Sequence, residues 1–293
     1  MKHFLAIKGL DYLAARRMLE RANSFKKTRG TRVKTILQGQ TWVLIFSKPS
    51  TRTRVSFEIA IRELGGNVLF LNANDIQLGR GEPIQDTASV IGRMAHGAVI
   101  RTFDQQDVVD FSKFSDIPTI NALTDEEHPC QILADIMTYE EKRGSIEGKR
   151  VAYIGDASCN VPISWAHAAQ IFGFDLVCAA PAGYSCPVKN KRTTNVQSPI
   201  EAATGADLLY TDVWISMGKE EETAQRLKDL AAYQINHALV QVAKPGAMVL
   251  HCLPAYRDKE ISAKIFEERA QDIFDEAENR LHIQKGIIEY LIT

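Results

Sequence analysis

Ser50, Thr51, Arg52, Thr53 and Arg54 stand in one unbroken run. The apolar segment Trp42-Val43-Leu44-Ile45 precedes them, and Val55-Ser56-Phe57-Glu58-Ile59-Ala60-Ile61 follows. Hydroxyls and guanidinium groups therefore gather where a predicted strand turns into a predicted helix. The first N–H groups of a helix lack internal partners and lie at the positive end of its dipole. Arginine adds a charged fork that fits phosphate oxygens. That combination suits a small phosphorylated ligand. The competing reading is a well-capped helix start carrying surface arginines. Commoner phosphate loops are excluded, because no G-x-x-x-x-G-K-[ST] occurs. The turn Gly155-Asp156-Ala157-Ser158-Cys159-Asn160 also lacks the later glycines of a dinucleotide fold.

Three further clusters carry chemistry. In His128-Pro129-Cys130-Gln131, the imidazole can donate to a carbonyl oxygen, and Gln131 can both donate to and accept from an amide. Read alone, the cluster fits a helical first turn with a satisfied histidine better, and Asp135 reads as a buried structural partner. Asp212-Val213-Trp214-Ile215-Ser216-Met217-Gly218 suits a loop closing over a cationic ligand, or a plain helix start. His251-Cys252-Leu253-Pro254 ends the apolar run Ala247–Leu250. Its thiol is either an inert buried cysteine or one partly ionised beside histidine. Arg280 either belongs to a site or faces solvent on the last helix.

These residues must be positioned by the elements around them. Predicted strands cover 42–46, 67–71, 97–102 and 118–122, then 150–155, 175–179, 207–210 and 247–251. Predicted helices include 54–64, 83–95, 128–142, 162–171, 221–232 and 259–270, with Pro83 and Pro129 at first-turn positions. Such alternation predicts an α/β fold of two domains, each a parallel β-sheet flanked by helices. A boundary is expected near Glu140–Ser145, with about four strands on each side. The polar stretch 187–195 reads as a surface loop. The runs at 50–54 and 128–131, with Arg101, Asn160, Asp212 and Cys252, fall at or after the ends of predicted strands, where open parallel sheets bind ligands. One shared face across two domains predicts an active site in the interdomain cleft.

Composition narrows the function classes. The chain has 293 residues, 45% hydrophobic and 24% charged, as a globular protein has. A net charge of −1 without long single-sign blocks argues against a nucleic-acid partner. No apolar run is long enough to cross a bilayer, and the N-terminal residues do not read as a signal peptide. Five cysteines without a C-x-x-C pair give no zinc signature and fit reduced thiols in a cytoplasmic protein.

With these motifs in one frame, the chain resembles the aspartate/ornithine carbamoyltransferase family, collinearly from Thr41 to Gln284 and on its ornithine-specific side. The runs at 50–54 and 128–131 are similar to the family's carbamoyl-phosphate motifs, and those at 212–218 and 251–254 to its ornithine motifs. The resemblance implies transfer of the carbamoyl group from carbamoyl phosphate to the δ-amine of L-ornithine, giving L-citrulline and phosphate. It implies phosphate binding by Ser50, Thr51, Arg52 and Thr53. Arg101 and His128 would hold the phosphate side and the carbonyl oxygen. Pro129, Cys130 and Gln131 would line the carbamoyl group, with Gln131 on its amide. Asn160, Asp212, Ser216 and Met217 match ornithine contacts, and Cys252, Leu253 and Arg280 match the remaining inner positions. Arg52, Arg101, His128 and Cys252 take the catalytic roles, with no metal and no cofactor. Gln77 matches a loop that reaches a neighbouring active site, which implies a homotrimer.

The resemblance further implies a carbamoyl-phosphate domain of residues 1–143 completed by helix 276–293, and an ornithine domain of 144–275. Ser47 stands where the family often has glutamate, and Cys159 where asparagine commonly precedes Asn160. The segment 182–200 is shorter than usual. A cysteine hydrolase built on His251 and Cys252 is disfavoured, because adjacent strand residues face opposite ways. A non-catalytic relative, or an enzyme for putrescine or an acetylated ornithine, remains the alternative.

Overall fold

Residues 42–46 are apolar throughout, and strand β1 (Thr41–Phe46) buries all five of them. A strand covered on both faces belongs inside a parallel sheet rather than at its rim. In the computed structural model, which describes residues 2–31, 35–73, 76–77, 81–216 and 218–293, β1 lies inside a four-stranded parallel sheet. Its companions are β2 (Asn67–Asn72), β3 (Gly97–Arg101) and β4 (Thr119–Leu123), in the order β2-β1-β3-β4. The chain leaves β1 to one side for β2 and then crosses to the other side for β3. The β1/β3 junction is therefore a topological switch point, where such sheets open a crevice at their carboxyl ends. Phe46 and Arg101 are register partners there.

Helices α1 (Tyr12–Lys27), α2 (Thr51–Glu63), α3 (Ile84–Ile91) and α4 (Gln105–Ser115) cover this sheet. Helix α2 buries Thr53, Ser56, Phe57, Ala60 and Ile61, a stripe with helical spacing. Asp11 and Asp104 cap α1 and α4 by accepting from Ala14 N and Gln106 N. Together with residues 278–293, this region forms one unit, and residues 135–277 form the second. The chain passes between units inside two helices, α5 (Pro129–Arg143) and α10 (Ala263–Ile292).

The second unit holds a five-stranded parallel sheet in the order β7-β6-β5-β8-β9. Its strands are β5 (Arg150–Ile154), β6 (Asp175–Ala179), β7 (Thr193–Val196), β8 (Leu208–Thr211) and β9 (Met248–His251). Helices α6 (Asn160–Phe172), α7 (Pro199–Ala203), α8 (Thr223–Leu230) and α9 (His237–Val242) accompany them. Here the switch point falls between β5 and β8, where Thr211 Oγ1 donates to Ile154 O at 2.7 Å. Gly155, at φ +132°, turns the chain away beside Thr211 and Trp214.

The α/β class and the parallel sheets agree with the sequence expectation. Strand β7 corrects it, since the stretch read as a surface loop contributes an edge strand and a fifth member. A polar strand with exposed Thr194 and Asn195 carries no apolar alternation to reveal it. The helix expected over 259–270 begins at Ala263 behind Ser262, whose Oγ accepts from Ile265 N, and then runs unbroken to Ile292.

Gly286 lies within that helix for a steric reason. A Cβ at this position would meet Met18 O at 2.3 Å and Ala22 N at 3.1 Å, both backbone atoms of α1. Alanine is ordinarily worth up to about 1 kcal/mol over glycine in a helix. Overpacking costs about 1–3 kcal/mol, and backbone cannot step aside as a side chain would. Gly286→Ala is therefore expected to lower the urea unfolding midpoint, and an equal or higher midpoint contradicts this packing.

Candidate functional site

Ser50 caps α2, its Oγ accepting from Thr53 N at 3.3 Å. The cap holds the hydroxyl run at the helix start with its free N–H groups nearby. Thr51 is exposed and Arg52 half-buried, so both reach solvent. Arg54 does not share the cluster: it lies over the Phe70 ring at 3.7 Å, with Glu58 at 3.8 Å. Just before the cap, Ser47 N donates to Arg101 O at 2.8 Å, which ties the β1 exit to the end of β3. Lys48 is buried against the Phe103 ring at 4.2 Å and pairs with Asp125.

Arg280 joins the two motifs of this unit. It is 3% exposed, so the solvent-facing alternative is wrong. Its Nη1 donates to Gln131 Oε1 at 2.5 Å and its Nη2 to Thr53 Oγ1 at 3.0 Å. One guanidinium thus fixes α2's first turn and α5's first turn in a single frame. His128 precedes α5, and its carbonyl accepts from Gln131 N at 3.1 Å. Burial, then the nearby charges of Arg280 and Arg101, holds the His128 imidazole well below the usual histidine range. His128 is therefore a neutral N–H donor at neutral pH. Pro129 opens α5 and is buried. Cys130 points into the sheet, where its Sγ donates to Asn121 O at 3.4 Å and burial pushes the thiol up to about 12. Gln77 is exposed, with its carbonyl accepting from Glu82 N at 3.2 Å.

The second unit gathers the other motifs at its own strand ends. Asn160 begins α6 after β5, and its carbonyl accepts from Ser164 Oγ at 2.8 Å. Asp212 follows β8, and Cys252 follows β9. Cys252 Sγ donates to Asp212 Oδ1 at 3.0 Å, and Val213 N donates to the same oxygen at 2.7 Å. Burial, with Asp212 beside it, raises the Cys252 thiol well above its ordinary value. The reading of a partly ionised thiol is thereby corrected: this is a neutral donor. Burial also raises the Asp212 carboxyl against the hydrogen bonds it accepts. Ser216 O accepts from Lys219 N at 3.0 Å, and Met217 lies outside the described residues.

Both His251 ring nitrogens are engaged in hydrogen bonds of their own. Its Nε2 lies 3.0 Å from Glu260 Oε1, its Nδ1 accepts from Leu253 N at 2.9 Å, and its main-chain N donates to Glu276 Oε2 at 2.9 Å. These bonds hold the 251–253 segment, in which Leu253 takes φ +59°. Ligand-type atoms of Asp212, His251 and Cys252 lie within 4.8 Å of one another, and all three side chains take part in this hydrogen-bonding network. Arg226 braces the neighbouring loop, its Nη1 donating to Asp156 Oδ2 at 2.6 Å and to Trp214 O at 3.2 Å.

Glu260, Glu276, Arg226 and Lys48 are the supporting residues that the sequence reading missed. A glutamate inside the apolar α10 pattern was the available signal for Glu276, which is fully buried with Tyr210 OH donating to it at 3.2 Å. Asp135, expected to be structural, is buried and hydrogen-bonds Glu276.

Comparison with known proteins also finds two domains, as consecutive segments of the chain. Residues 2–141 match the aspartate/ornithine carbamoyltransferase, carbamoyl-P binding domain, and residues 147–291 match the Asp/Orn binding domain. An ornithine carbamoyltransferase from Akkermansia muciniphila is 50% identical over 99% of this chain and 98% of its own. One from Hydrogenovibrio crunogenus is 45% identical over 100% and 99%. Among solved structures, the anabolic ornithine carbamoyltransferase from Campylobacter jejuni superposes with a TM-score of 0.93 at 38% identity, covering 100% of this chain and 99% of that one. The Pyrococcus furiosus enzyme gives a TM-score of 0.91 at 40% identity, covering 99% and 96%.

The neutral His128 has a measurable signature. The unfolded chain takes up its proton near about pH 6.5, whereas the folded site refuses it until much lower pH. The unfolded state then binds more protons, so this contribution to stability is full above that pH and lost as pH falls below it. Unfolding free energy is expected to drop by up to about 1.4 kcal/mol per pH unit there, and His128→Gln to remove that part of the slope. Urea titrations at several pH values check this, and identical slopes in the two proteins contradict it.

Proposed function

Because the chain belongs to the aspartate/ornithine carbamoyltransferase family, we propose that it transfers the carbamoyl group of carbamoyl phosphate to the δ-amine of L-ornithine, releasing L-citrulline and phosphate. The observation that carries this reading is Arg280 bonded to both Thr53 and Gln131. That bond turns a hydroxyl-rich helix start and an amide-reading glutamine into one recognition surface for a phosphate joined to a carbamoyl group.

Ser50, Thr51, Arg52 and Thr53 hold the phosphate at the start of α2. Arg101 and His128 hold the phosphate side and the carbonyl oxygen, and Gln131 holds the amide. Pro129 and Cys130 shape the wall, and Cys252, Leu253 and Arg280 complete the inner positions. Asn160, Asp212, Ser216 and Met217 hold ornithine. These assignments give a carbamoyl-phosphate domain of residues 1–143 with helix 276–293, and an ornithine domain of 144–275. The enzyme works as a homotrimer in the cytoplasm, with the Gln77 loop serving a neighbouring subunit. No described helix is long and apolar enough to cross a membrane.

The chemistry follows from charge. The amine attacks the carbonyl carbon, negative charge builds on the carbonyl oxygen, and phosphate departs. Arg52, Arg101 and neutral His128 meet that charge with fixed donors, which need no reorganisation at the moment of reaction. A free alkyl amine is mostly protonated at neutral pH, with a pKa near about 10.4. Asp212 and the Cys252 S–H orient the amine, and the leaving phosphate accepts its proton. Holding both reactants together supplies up to about 7–11 kcal/mol of the barrier reduction.

Two measurements test this. Of L-ornithine, N-acetylornithine, putrescine and aspartate, offered with carbamoyl phosphate, ornithine alone is expected to be carbamoylated efficiently. Preference for any other acceptor overturns the substrate assignment. Arg52→Ala is expected to lower kcat by about 100- to 1000-fold without moving the unfolding midpoint, and near-normal turnover would refute its role.

A further inference from the structure

Two cysteines outside this machinery face each other. Cys178 is a buried residue of β6, and its register partner across the ladder is Asn195 of β7. Paired residues of adjacent strands project to the same face of a sheet. From that face the Asn195 amide clamps the Cys186 peptide, its Oδ1 accepting from Cys186 N and its Nδ2 donating to Cys186 O, both at 3.0 Å. The chain segment 179–185 therefore leaves β6, turns where Tyr184 N donates to Pro181 O at 3.1 Å, and returns over Cys178. There Cys178 and Cys186 are both buried, and each thiol perturbs the other.

The other three thiols are engaged elsewhere. Cys130 donates to Asn121 O, Cys159 to Asp156 O at 3.3 Å, and Cys252 to Asp212. The turn is also held from outside, because Tyr184 OH donates to Asp229 Oδ2 at 3.1 Å and the Arg226 guanidinium lies 5.4 Å from its ring. The Cys186 peptide is thus held against the ladder partner of Cys178 by hydrogen bonds independent of any covalent link.

We propose that Cys178 and Cys186 form a redox dithiol site, which a hydroperoxide converts to an intramolecular disulfide. Cys186 is the nucleophile, since the Cys178 thiol favours its thiolate, while Cys186 and burial keep Cys178 protonated. The Cys186 thiolate attacks the peroxide oxygen, the O–O bond breaks, and the sulfur becomes a sulfenic acid as hydroxide leaves. Cys178 sulfur then attacks Cys186 sulfur, and the departing hydroxide takes the Cys178 proton as water. In sum, two thiols and one hydrogen peroxide give one disulfide and two waters. The resulting bridge closes the 178–186 ring around Tyr184 and so fastens the turn that contacts Arg226.

The test oxidises the folded full chain with hydrogen peroxide and follows it by mass spectrometry. Cleavage after lysine and arginine leaves Cys159, Cys178 and Cys186 in one peptide, 151–189. The experiment is therefore run on the wild type with fragment-ion assignment and, in parallel, on Cys159→Ser. The expected result is loss of two hydrogens' mass between 178 and 186 in both proteins, reversed by dithiothreitol. In Cys178→Ser, dimedone should trap a sulfenic acid at Cys186. Oxygen gain at Cys186 of the wild type without hydrogen loss, a disulfide joining other cysteines, or an unmodified peptide 151–189 would each overturn the proposal.

Discussion

One buried guanidinium, that of Arg280, fixes the frame of the first unit's two motifs. It is donated by the last helix, yet it bonds to a hydroxyl at the start of α2 and an amide at the start of α5. Removing such a group takes a charged donor from two buried polar partners at once, the costly half of a hydrogen-bond loss. The same charge helps to keep His128 neutral. Geometry and protonation in this unit therefore share one cause.

Burial sets the protonation of the second unit in the opposite sense. There it raises Asp212, Cys252 and Glu276 toward their neutral forms. The first unit presents positive charge and neutral donors. The second presents a carboxyl and a thiol hydrogen-bonded to each other. An anionic phosphate suits the former, and an amine suits the latter. The two units thus differ in electrostatic environment, each produced by which groups are buried together.

The parallel sheets were legible because fully covered strands such as Trp42–Phe46 and Met248–Leu250 read as continuous apolar runs. The reactive motifs were legible because they follow those strands directly. Strand β7 was not, since an exposed polar edge carries no periodic signal. Arg280 could be placed at an inner position only through resemblance, because spacing alone left it free to face solvent. Glu260 and Glu276 escaped notice because their work is done on the backbone and ring of His251. For Glu276 the only local mark was a carboxylate set among the apolar residues of α10, with nothing to name its distant partner.

The first unit is discontinuous: residues 278–293 return to it after the whole of the second unit has been made. Arg280 arrives with that returning segment, as does Gly286, which lets α10 lie against the backbone of α1. During synthesis, the N-terminal region emerges first but has to wait for the entire intervening unit before its own frame can close. Assembly order is therefore inverted, and the ligand-ready state of the earliest segment is reached last.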